Sequence, residues 1–249
     1  MKILVAVKQV PDPNALRFDA QGNFAPNTAR VVNEYDQYAL EAAIQLKEAL
    51  PDIEVTVVSI GPASARDAVS RGLAMGADQG ILIQDDNAAR DTLATARLLA
   101  GVDAEGPFDL IFVGQETSDS GAGNVGPQLA ALLDRPLVSN VVGLERAEHG
   151  ALTLQREVED GRHIVEVEPP VVICALTGLN EPRSPSLKGI MAARRKPIDA
   201  RTDANAEQST AEWGGLRAEE RSVEGVTIEA DAESAVKQLV ELLRARDLL

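Results

Sequence analysis

The sequence predicts an α/β fold with a mostly parallel sheet and helices on both faces. Short aliphatic and β-branched runs alternate with longer stretches whose apolar residues recur every three to four positions. The strand-like runs are continuously apolar, which is typical of parallel strands buried on both faces. Aromatic residues are only 3% of the 249 residues, so we expect a core made mainly of Val, Leu, Ile and Ala.

Strands and helices are predicted in alternating order along residues 1–142. Asn33 stands three residues before Asp36 in a plausible N-cap arrangement for the first helix, and Gly61-Pro62 turns the chain into the second. The predicted strands are 3–7, 53–60, 81–83, 110–113 and 137–142. The predicted helices are 36–50, a second one ending near Gly76, 91–100 and 125–133.

The pattern changes after residue 143. Residues 151–158 and 163–168 flank Asp160-Gly161, a signal for an inserted β-hairpin, and one more strand is predicted at 171–176. A loop rich in Gly, Pro, Ser and Arg follows. We divide the chain into a nucleotide-binding α/β domain, 1–198, which includes a loop at 175–197, and a C-terminal arm, 199–249. The arm is predicted to end in an amphipathic docking helix presenting Val236, Leu239, Val240 and Leu243.

Composition excludes several classes of protein. A formal net charge of −15 disfavours nucleic-acid binding, which requires clusters of Lys and Arg. No apolar run approaches the roughly 18 residues of a membrane span, and residues 1–7 predict a strand rather than a signal peptide. We therefore expect a cytoplasmic protein without membrane insertion. His149 and His163 are interpreted as surface residues, and metal-ligand spacing is missing from the sequence.

The strongest candidate site is a glycine- and serine-rich loop between a predicted strand and a predicted helix. Small residues let backbone N–H groups approach an anion, and the helix N-terminus adds a partial positive charge. Thr117, Ser118 and Ser120 add hydroxyl donors, whereas Asp119 is expected to cap or to bond a ribose. An ordinary βα loop is the equally weighted alternative. The loop reads Gly114, Gln115, Glu116, Thr117, Ser118, Asp119, Ser120, Gly121, Ala122, Gly123, Asn124, Val125, Gly126 and Pro127.

Other motifs are weaker. The turn after the first strand, 8–13, lacks the G-x-G-x-x-G pattern of dinucleotide-binding folds. Thr92 and Thr95 share the first turns of one predicted helix and form a second candidate for binding phosphate or flavin, although a simple cap by Asp91 or Thr92 is favoured from the residues alone. Cys174 lies in an apolar strand and is interpreted as a buried, inert thiol. Catalytic residues are not predicted, so any redox chemistry requires a bound cofactor.

Several segments together resemble the electron transfer flavoprotein β subunit family. The similarity runs in unbroken order over about residues 1–198, and the Leu-Asn-Glu-Pro-Arg block is its most specific motif. The similar segments are 5–12, 33–43, 61–62, 73–78, the loop 114–127, Leu179-Asn180-Glu181-Pro182-Arg183, Leu187 and Ile190-Met191.

The resemblance implies an adenine nucleotide α-hydrolase-like version of the fold and a heterodimer with an electron transfer flavoprotein α subunit. The FAD, held mainly by the α subunit, would accept electrons from flavin dehydrogenases such as acyl-CoA dehydrogenases. It would pass them to an acceptor such as a quinone oxidoreductase, so the protein is an electron carrier subunit rather than a classical enzyme. This subunit would hold AMP or, in the electron-bifurcating branch, a second FAD that works with NADH.

The resemblance also implies site residues. Leu187 would be the anchor inserted into a dehydrogenase partner through the loop 175–197. The nucleotide would contact the loop 114–125 together with Ala6, Asn33, Glu34, Tyr35, Asp36 and Ile60.

Two features leave the nucleotide undecided. The Val125-Gly126-Pro127 ending and the segment 91–95 are similar to the bifurcating branch, but the residues before Val125 match neither branch. Ala192 replaces a lysine found in many members, so control by methylation is not expected there. A stand-alone nucleotide-binding regulator of the stress-protein type is the alternative from another class; the partner loop and the C-terminal arm disfavour it.

Overall fold

A nine-stranded sheet is the framework of the computed structural model, which describes residues 1–19, 22, 24–25, 27–86, 90–146, 150–202, 209–211 and 225–249. The strands are β1 (Lys2–Ala6), β2 (Gln9–Pro11), β3 (Arg30–Val32), β4 (Glu54–Gly61), β5 (Gln79–Gln84), β6 (Leu110–Gly114), β7 (Leu137–Arg146), β8 (Leu152–Val158), β9 (Gly161–Val167), β10 (Val171–Ala175) and β11 (Ile198–Arg201). The helices are α1 (Glu34–Ala49), α2 (Arg66–Met75), α3 (Thr92–Glu105), α4 (Val125–Leu133), α5 (Leu187–Ala193) and α6 (Ala232–Arg244), and Ala63–Ala65 form a 3-10 turn before α2.

The sheet is mostly parallel, as predicted. Its strand order is β11-β5-β4-β1-β6-β10-β7-β8-β9, and the pairs from β11 through β7 are parallel. The predicted hairpin is β8–β9, which pairs antiparallel with the end of β7 and extends the sheet. The α/β fold class is therefore confirmed.

Alternating side chains of the central strands build two cores, one on each face. Ile3, Val5 and Phe112 contribute to the core covered by α1 and α2. Leu4 and Ile111 point the other way and contribute to the core under α3 and α4. Because successive side chains of a strand alternate between faces, strands buried on both sides need the continuous apolar runs seen in the sequence.

Chain reversal at β1 positions the candidate site. From β1 the chain moves outward to β4 and β5, and then crosses to β6 on the other side of β1. The carboxyl ends of β1 and β6 therefore form a topological switch point, where the connecting loops diverge and leave a crevice. The loop that begins at Gly114 starts at this crevice.

Four elements escaped the sequence analysis. Strand β2 lies within the predicted turn 8–13 and pairs with β3, which follows later in the chain, to form a small separate sheet. Helix α5 lies in the region predicted as loop, and β11 pairs in parallel with β5 at the sheet edge. Each has three to seven residues, so too few periods exist for a pattern, and long-range pairing defines the strands.

The Asn33 prediction was correct in position and wrong in contact. Asn33 occupies the N-cap of α1, but within the described chain its side chain makes no cap bond to the helix. Its side chain bonds to the glycine loop instead, as described below. His149 lies outside the described residues, as do 203–208 and 212–224 of the predicted arm.

The chain divides into two units, residues 1–216 and residues 217–249. In the second unit, Asp231 caps α6 by accepting hydrogen bonds from the backbone of Glu233 and Ser234. Val236 and Leu239 on this helix are 60% and 46% exposed. Among the described residues, no helix has the length and apolarity needed to cross a membrane, and no cluster of His, Cys, Asp or Glu has a metal-binding arrangement.

Candidate functional site

A cleft at the switch point brings together both regions proposed from the sequence. The glycine loop after β6 forms one wall, and the first turns of α3 form the other. Residues from both candidate motifs line it: Thr92, Thr95, Gly114, Gln115, Glu116, Thr117, Ser120, Ala122, Gly123, Asn124 and Val125. Lys8, Arg90 and Asp91 complete the lining. The two motifs, about 20 residues apart in sequence, therefore belong to one cleft.

The loop turns sharply enough to expose backbone groups. The N–H of Gly121 donates to the carbonyl oxygen of Thr117 at 2.7 Å, which closes a tight turn. Gly121 and Gly123 have φ angles of +59° and +62°, in the left-handed region that favours glycine. A Cβ on Gly123 would lie 3.5 Å from the Gln115 carbonyl oxygen, and one on Gly121 would meet nothing within 4 Å. Backbone conformation, rather than lack of space, therefore requires these two glycines.

The N-termini of α3 and α4 differ in how their free N–H groups are satisfied. Asp91 caps α3, because its Oδ1 accepts from the backbone N–H of Ala94 at 2.7 Å. At α4, within the part of the chain that the structure describes, the N-cap residue Asn124 makes no side-chain cap bond. The positive end of α4 is thus available to an anion in the cleft, whereas that of α3 is occupied by a carboxylate.

Asp91 also holds the chain that leads towards the second unit. Its Oδ2 accepts from the backbone N–H groups of Thr210 and Ala211 at 2.6 and 3.0 Å and from the Thr210 hydroxyl at 2.9 Å. Its own N–H donates to Ser209 Oγ at 2.8 Å. These donors, led by Ala94 N–H, lower the pKa of Asp91 to about 2. Asp91 is therefore the helix cap considered from the sequence, and its carboxylate also holds residues 209–211.

A buried polar network fixes the glycine loop from behind. Asn33 Nδ2 donates to the Glu116 carbonyl oxygen at 2.9 Å, and Asn33 Oδ1 accepts from Ser118 N–H at 3.1 Å. Asp36 accepts from the N–H groups of Lys8 at 2.7 Å and Gly114 at 3.1 Å. Asn33 and Asp36 are 0% and 4% exposed. Together they join the ends of β1 and β6 to the start of α1.

Burial dominates the electrostatics of this network. It raises the pKa of Asp36 to about 7, although the donated hydrogen bonds from Lys8, Asn33 and Gly114 oppose the shift. Tyr35 donates its hydroxyl to Glu116 Oε1 at 3.3 Å, and burial followed by the charge of Glu116 raises the tyrosine pKa. Both groups support the loop rather than reach into the cleft.

The two basic residues that line the cleft are paired with carboxylates. Lys8 Nζ contacts Asp119 at 2.8 Å, and Asp119 itself is not among the residues that line the cleft. Arg90 forms an ion pair with Asp85. Lys8 and Arg90 were not selected as site residues from the sequence, although Lys8 lies in the segment 5–12 that is similar to the family and Arg90 directly precedes Asp91.

The remaining predicted residues do not line the cleft. Ala6 is the last residue of β1 and Ile60 the last but one of β4, and both pack, partly buried, against the core under α3 and α4. Glu34 is exposed in the first turn of α1 and accepts from the Tyr38 hydroxyl at 3.3 Å. Ser118 is held by Asn33 as described.

Leu187 lies apart from the cleft, at the start of α5. It is 83% exposed, and Met191 and Ile190 on the same helix are 67% and 42% exposed. Three apolar side chains in solvent on one short helix form an apolar patch, which we call the α5 face (Leu187, Ile190 and Met191). Grouped exposed apolar residues are typical of protein–protein contacts.

A glycine-rich loop leading into a helix N-terminus, at the switch point of a parallel sheet, is the arrangement in which α/β proteins bind nucleotides. Comparison with known proteins makes the class specific. Residues 22–206 match the electron transfer flavoprotein domain. The chain therefore belongs to the electron transfer flavoprotein family, as a member of its β-subunit group.

Relatives of several organisms support this assignment. The chain is 36% identical to the electron transfer flavoprotein subunit beta of Thermoanaerobacterium thermosaccharolyticum over 262 aligned positions, covering 100% of both chains. It is 36% identical to that of Syntrophomonas wolfei over 245 positions, 98% of this chain and 96% of the relative. It is also 36% identical to the caffeyl-CoA reductase-Etf complex subunit CarD of Acetobacterium woodii over 202 positions, 80% of this chain and 77% of the relative.

Proposed function

We propose that this chain pairs with an α subunit to form a heterodimeric electron carrier. The flavin held mainly by that partner accepts electrons from flavin dehydrogenases, such as acyl-CoA dehydrogenases, and passes them to a downstream acceptor such as a quinone oxidoreductase. The observation that carries the proposal is the switch-point cleft, formed by the glycine loop and the open N-terminus of α4 in a chain of this family. Family membership also disfavours the stand-alone stress-type regulator.

The cleft fits the phosphate part of a nucleotide. Backbone N–H groups of the loop, the uncapped start of α4 and the hydroxyls of Thr117 and Ser120 offer donors on one wall. Thr92 and Thr95 lie on the other wall, and Thr95 Oγ1 already donates to the Asp91 carbonyl oxygen at 3.0 Å. A bound AMP would be structural here, whereas a bound FAD would supply electron-transfer chemistry.

The bifurcating type is the second candidate, with a second FAD and NADH at this subunit. Two observations favour it: Thr92 and Thr95 share the cleft with the glycine loop, and one relative is named as a subunit of a caffeyl-CoA reductase-Etf complex. We retain AMP as the alternative ligand.

Cofactor stoichiometry of the purified heterodimer tests both candidates. Denaturation should release one FAD and one AMP per heterodimer from a simple carrier, and two FAD without AMP from a bifurcating one. A chain that purifies alone, without flavin or nucleotide, contradicts the proposal. The variant Gly123→Val tests the site itself. It should lower the nucleotide content of this subunit without lowering the flavin content of the partner, because the φ of +62° disfavours a β-branched residue.

We further propose that the α5 face docks into an apolar pocket of the dehydrogenase, with Leu187 as the anchor. The exposed cations Lys188, Arg194 and Arg195 flank it, so the matching pocket is expected to have an acidic rim. Leu187→Ala should reduce the rate of electron transfer from the dehydrogenase about tenfold or more while leaving flavin content unchanged. Leu132→Ala, at an exposed leucine of α4, is the matched control; equal kinetics in the two variants contradict the anchor role.

The C-terminal arm is proposed to dock on the α subunit through α6. Val236 and Leu239 give this helix an exposed apolar stripe of the kind that an amphipathic helix buries against other groups. Removal of residues 225–249 is expected to weaken heterodimer formation, measured by analytical ultracentrifugation, and an unchanged dissociation constant contradicts this.

A further inference from the structure

Burial of its own side chains does not fix the position of α5. The helix has seven residues, and all of them are exposed or half-buried. A helix of fewer than about 12 residues is marginal in water without tertiary contacts. The α5 face can therefore present a defined surface to a partner only if contacts outside its apolar side chains hold it in place.

The chain before α5 is fixed to α1 by one arginine. The Arg183 guanidinium donates from Nε and Nη2 to Glu41, at 2.9 and 2.8 Å, and from Nη1 and Nη2 to Glu48, at 2.5 and 2.9 Å. The Arg183 backbone N–H donates to Glu41 Oε2 at 3.2 Å. The Glu41 side chain is only 2% exposed, and Arg183 is the cation paired with it.

A second contact fixes the same segment. Asn180 Nδ2 donates to the Tyr38 carbonyl oxygen at 2.9 Å. Tyr38, Glu41 and Glu48 are three and seven residues apart and therefore share one side of α1. The planar fork of arginine can bond two carboxylates at fixed angles, which a lysine ammonium cannot reproduce. Residues 180–183 are thus held in both position and direction.

Helix α5 itself rests on the end of α2. A Cβ on Gly189 would lie 2.3 Å from the Ala74 carbonyl oxygen, so a side chain cannot fit without moving one of the helices. Beyond α5, Lys196 Nζ donates to the carbonyl oxygens of Leu73 at 3.0 Å and Ala77 at 2.5 Å. The helix is thus anchored before, within and after its own length.

We propose that Arg183 and Gly189 are positioning residues for dehydrogenase docking, which hold α5 so that Leu187 points outward at a fixed place. The inference rests on the proposed role of the α5 face. Neither residue needs to touch the dehydrogenase: Arg183 acts through the segment leading into α5, and Gly189 acts by permitting close contact with α2.

The test uses the complete heterodimer as electron acceptor for an acyl-CoA dehydrogenase. Gly189→Ala and Arg183→Lys should each raise the KM for the heterodimer roughly tenfold, with kcat changed less than twofold. Flavin content and nucleotide content should remain those of the unmodified protein. Gly101→Ala, also within a helix but with open space around the new Cβ, is the matched control and should leave KM unchanged.

A direct readout separates positioning from general damage. Amide hydrogen exchange should increase in 186–193 in both variants and remain unchanged in the core strands. If Arg183→Lys fails to fold, Glu48→Gln replaces it, because Glu48 is exposed and its loss leaves the contact with Glu41 intact.

The outcomes distinguish the two proposals. A raised KM in Leu187→Ala together with an unchanged KM in the positioning variants overturns the inference and leaves the anchor role standing. An unchanged KM in Leu187→Ala overturns both. A raised KM in all of these variants, with the Gly101→Ala control unaffected, supports both.

Discussion

Single residues at the switch point have unusual electrostatics, and Asp36 is the clearest case. Its carboxylate lies between the ends of β1 and β6 and accepts hydrogen bonds from Lys8, Asn33 and Gly114. A Cβ at Gly114 would lie 2.2 Å from Asp36 Oδ1, so the strand must end in glycine for the contact to form. The Asp36 carboxylate thus bonds to the ends of both strands and to the Asn33 side chain.

The raised pKa of Asp36 predicts how stability depends on pH. Between its ordinary value of 3.8 and about 7, the folded chain binds a proton that the unfolded chain has released. Stability contributed by this group is therefore full below about pH 4 and is lost as the pH rises towards 7, by at most about 1.4 kcal/mol per pH unit. Asp36→Asn should remove this dependence while costing about 1–3 kcal/mol through unpaired donors.

Chemical unfolding at several pH values between 5 and 8 measures how the free energy of unfolding depends on pH. The gap in unfolding free energy between the unmodified protein and Asp36→Asn should be widest at pH 5 and should narrow as the pH rises. Asp160→Asn makes the same substitution at the exposed turn between β8 and β9 and is the control for its effect outside the buried network. A constant gap for Asp36→Asn would show that Asp36 has an ordinary pKa.

At the scale of elements, the place of α4 depends on one close approach to the sheet. A Cβ on Gly126 would lie 2.3 Å from Cys174 Sγ in β10 and 3.0 Å from Val113 Cγ2 in β6. The buried thiol, whose pKa burial raises to about 12, is therefore a packing group beneath the helix N-terminus. Glycine lets α4 lie close enough for its first N–H groups to reach the cleft.

Gly126→Ala should destabilise the chain by about 1–3 kcal/mol, because the new methyl group overpacks this contact. It should also lower the nucleotide content, since α4 must move away from the sheet. Cys174→Ala on the same chain should recover part of both losses by removing the opposing sulfur. A double-mutant cycle of unfolding free energies measures the coupling; additive effects of the two substitutions would contradict the contact.

At the scale of the whole molecule, ligand binding at the cleft should stabilise the entire first unit. A nucleotide present at 100 times its dissociation constant adds about 2.7 kcal/mol to the free energy of unfolding. For a chain of this size that corresponds to a rise in melting temperature of roughly 5–10 °C. Calorimetry of the nucleotide-stripped heterodimer with AMP, FAD or inorganic phosphate should show the rise for one nucleotide. The same melting temperature in all three solutions would contradict a nucleotide site.

The sequence by itself determined the layers of the fold. Continuous apolar runs such as 110–113 can only be buried on both faces, and this requirement specifies a parallel sheet between helices. Strand 110–113 and helix 125–133 were predicted to within a residue, because their patterns are local. The glycine loop was identified for the same reason: its composition marks a backbone that must turn sharply and approach other groups closely.

Only the tertiary structure decided which residues meet. Thr92 and Thr95 lie beside the glycine loop because the chain, after β5, passes β4 and β1 before it forms β6 on the other side of β1. Sequence spacing does not indicate that strand order. Lys8 and Arg90 line the cleft although they lie in turns without a sequence pattern. Asn33, expected to cap a helix, instead bonds to the glycine loop more than 80 positions away. Periodicity reports which face of an element is buried; it does not report what lies against that face. The candidate motifs could therefore be read from the chain, but the site they form together depends on strand order.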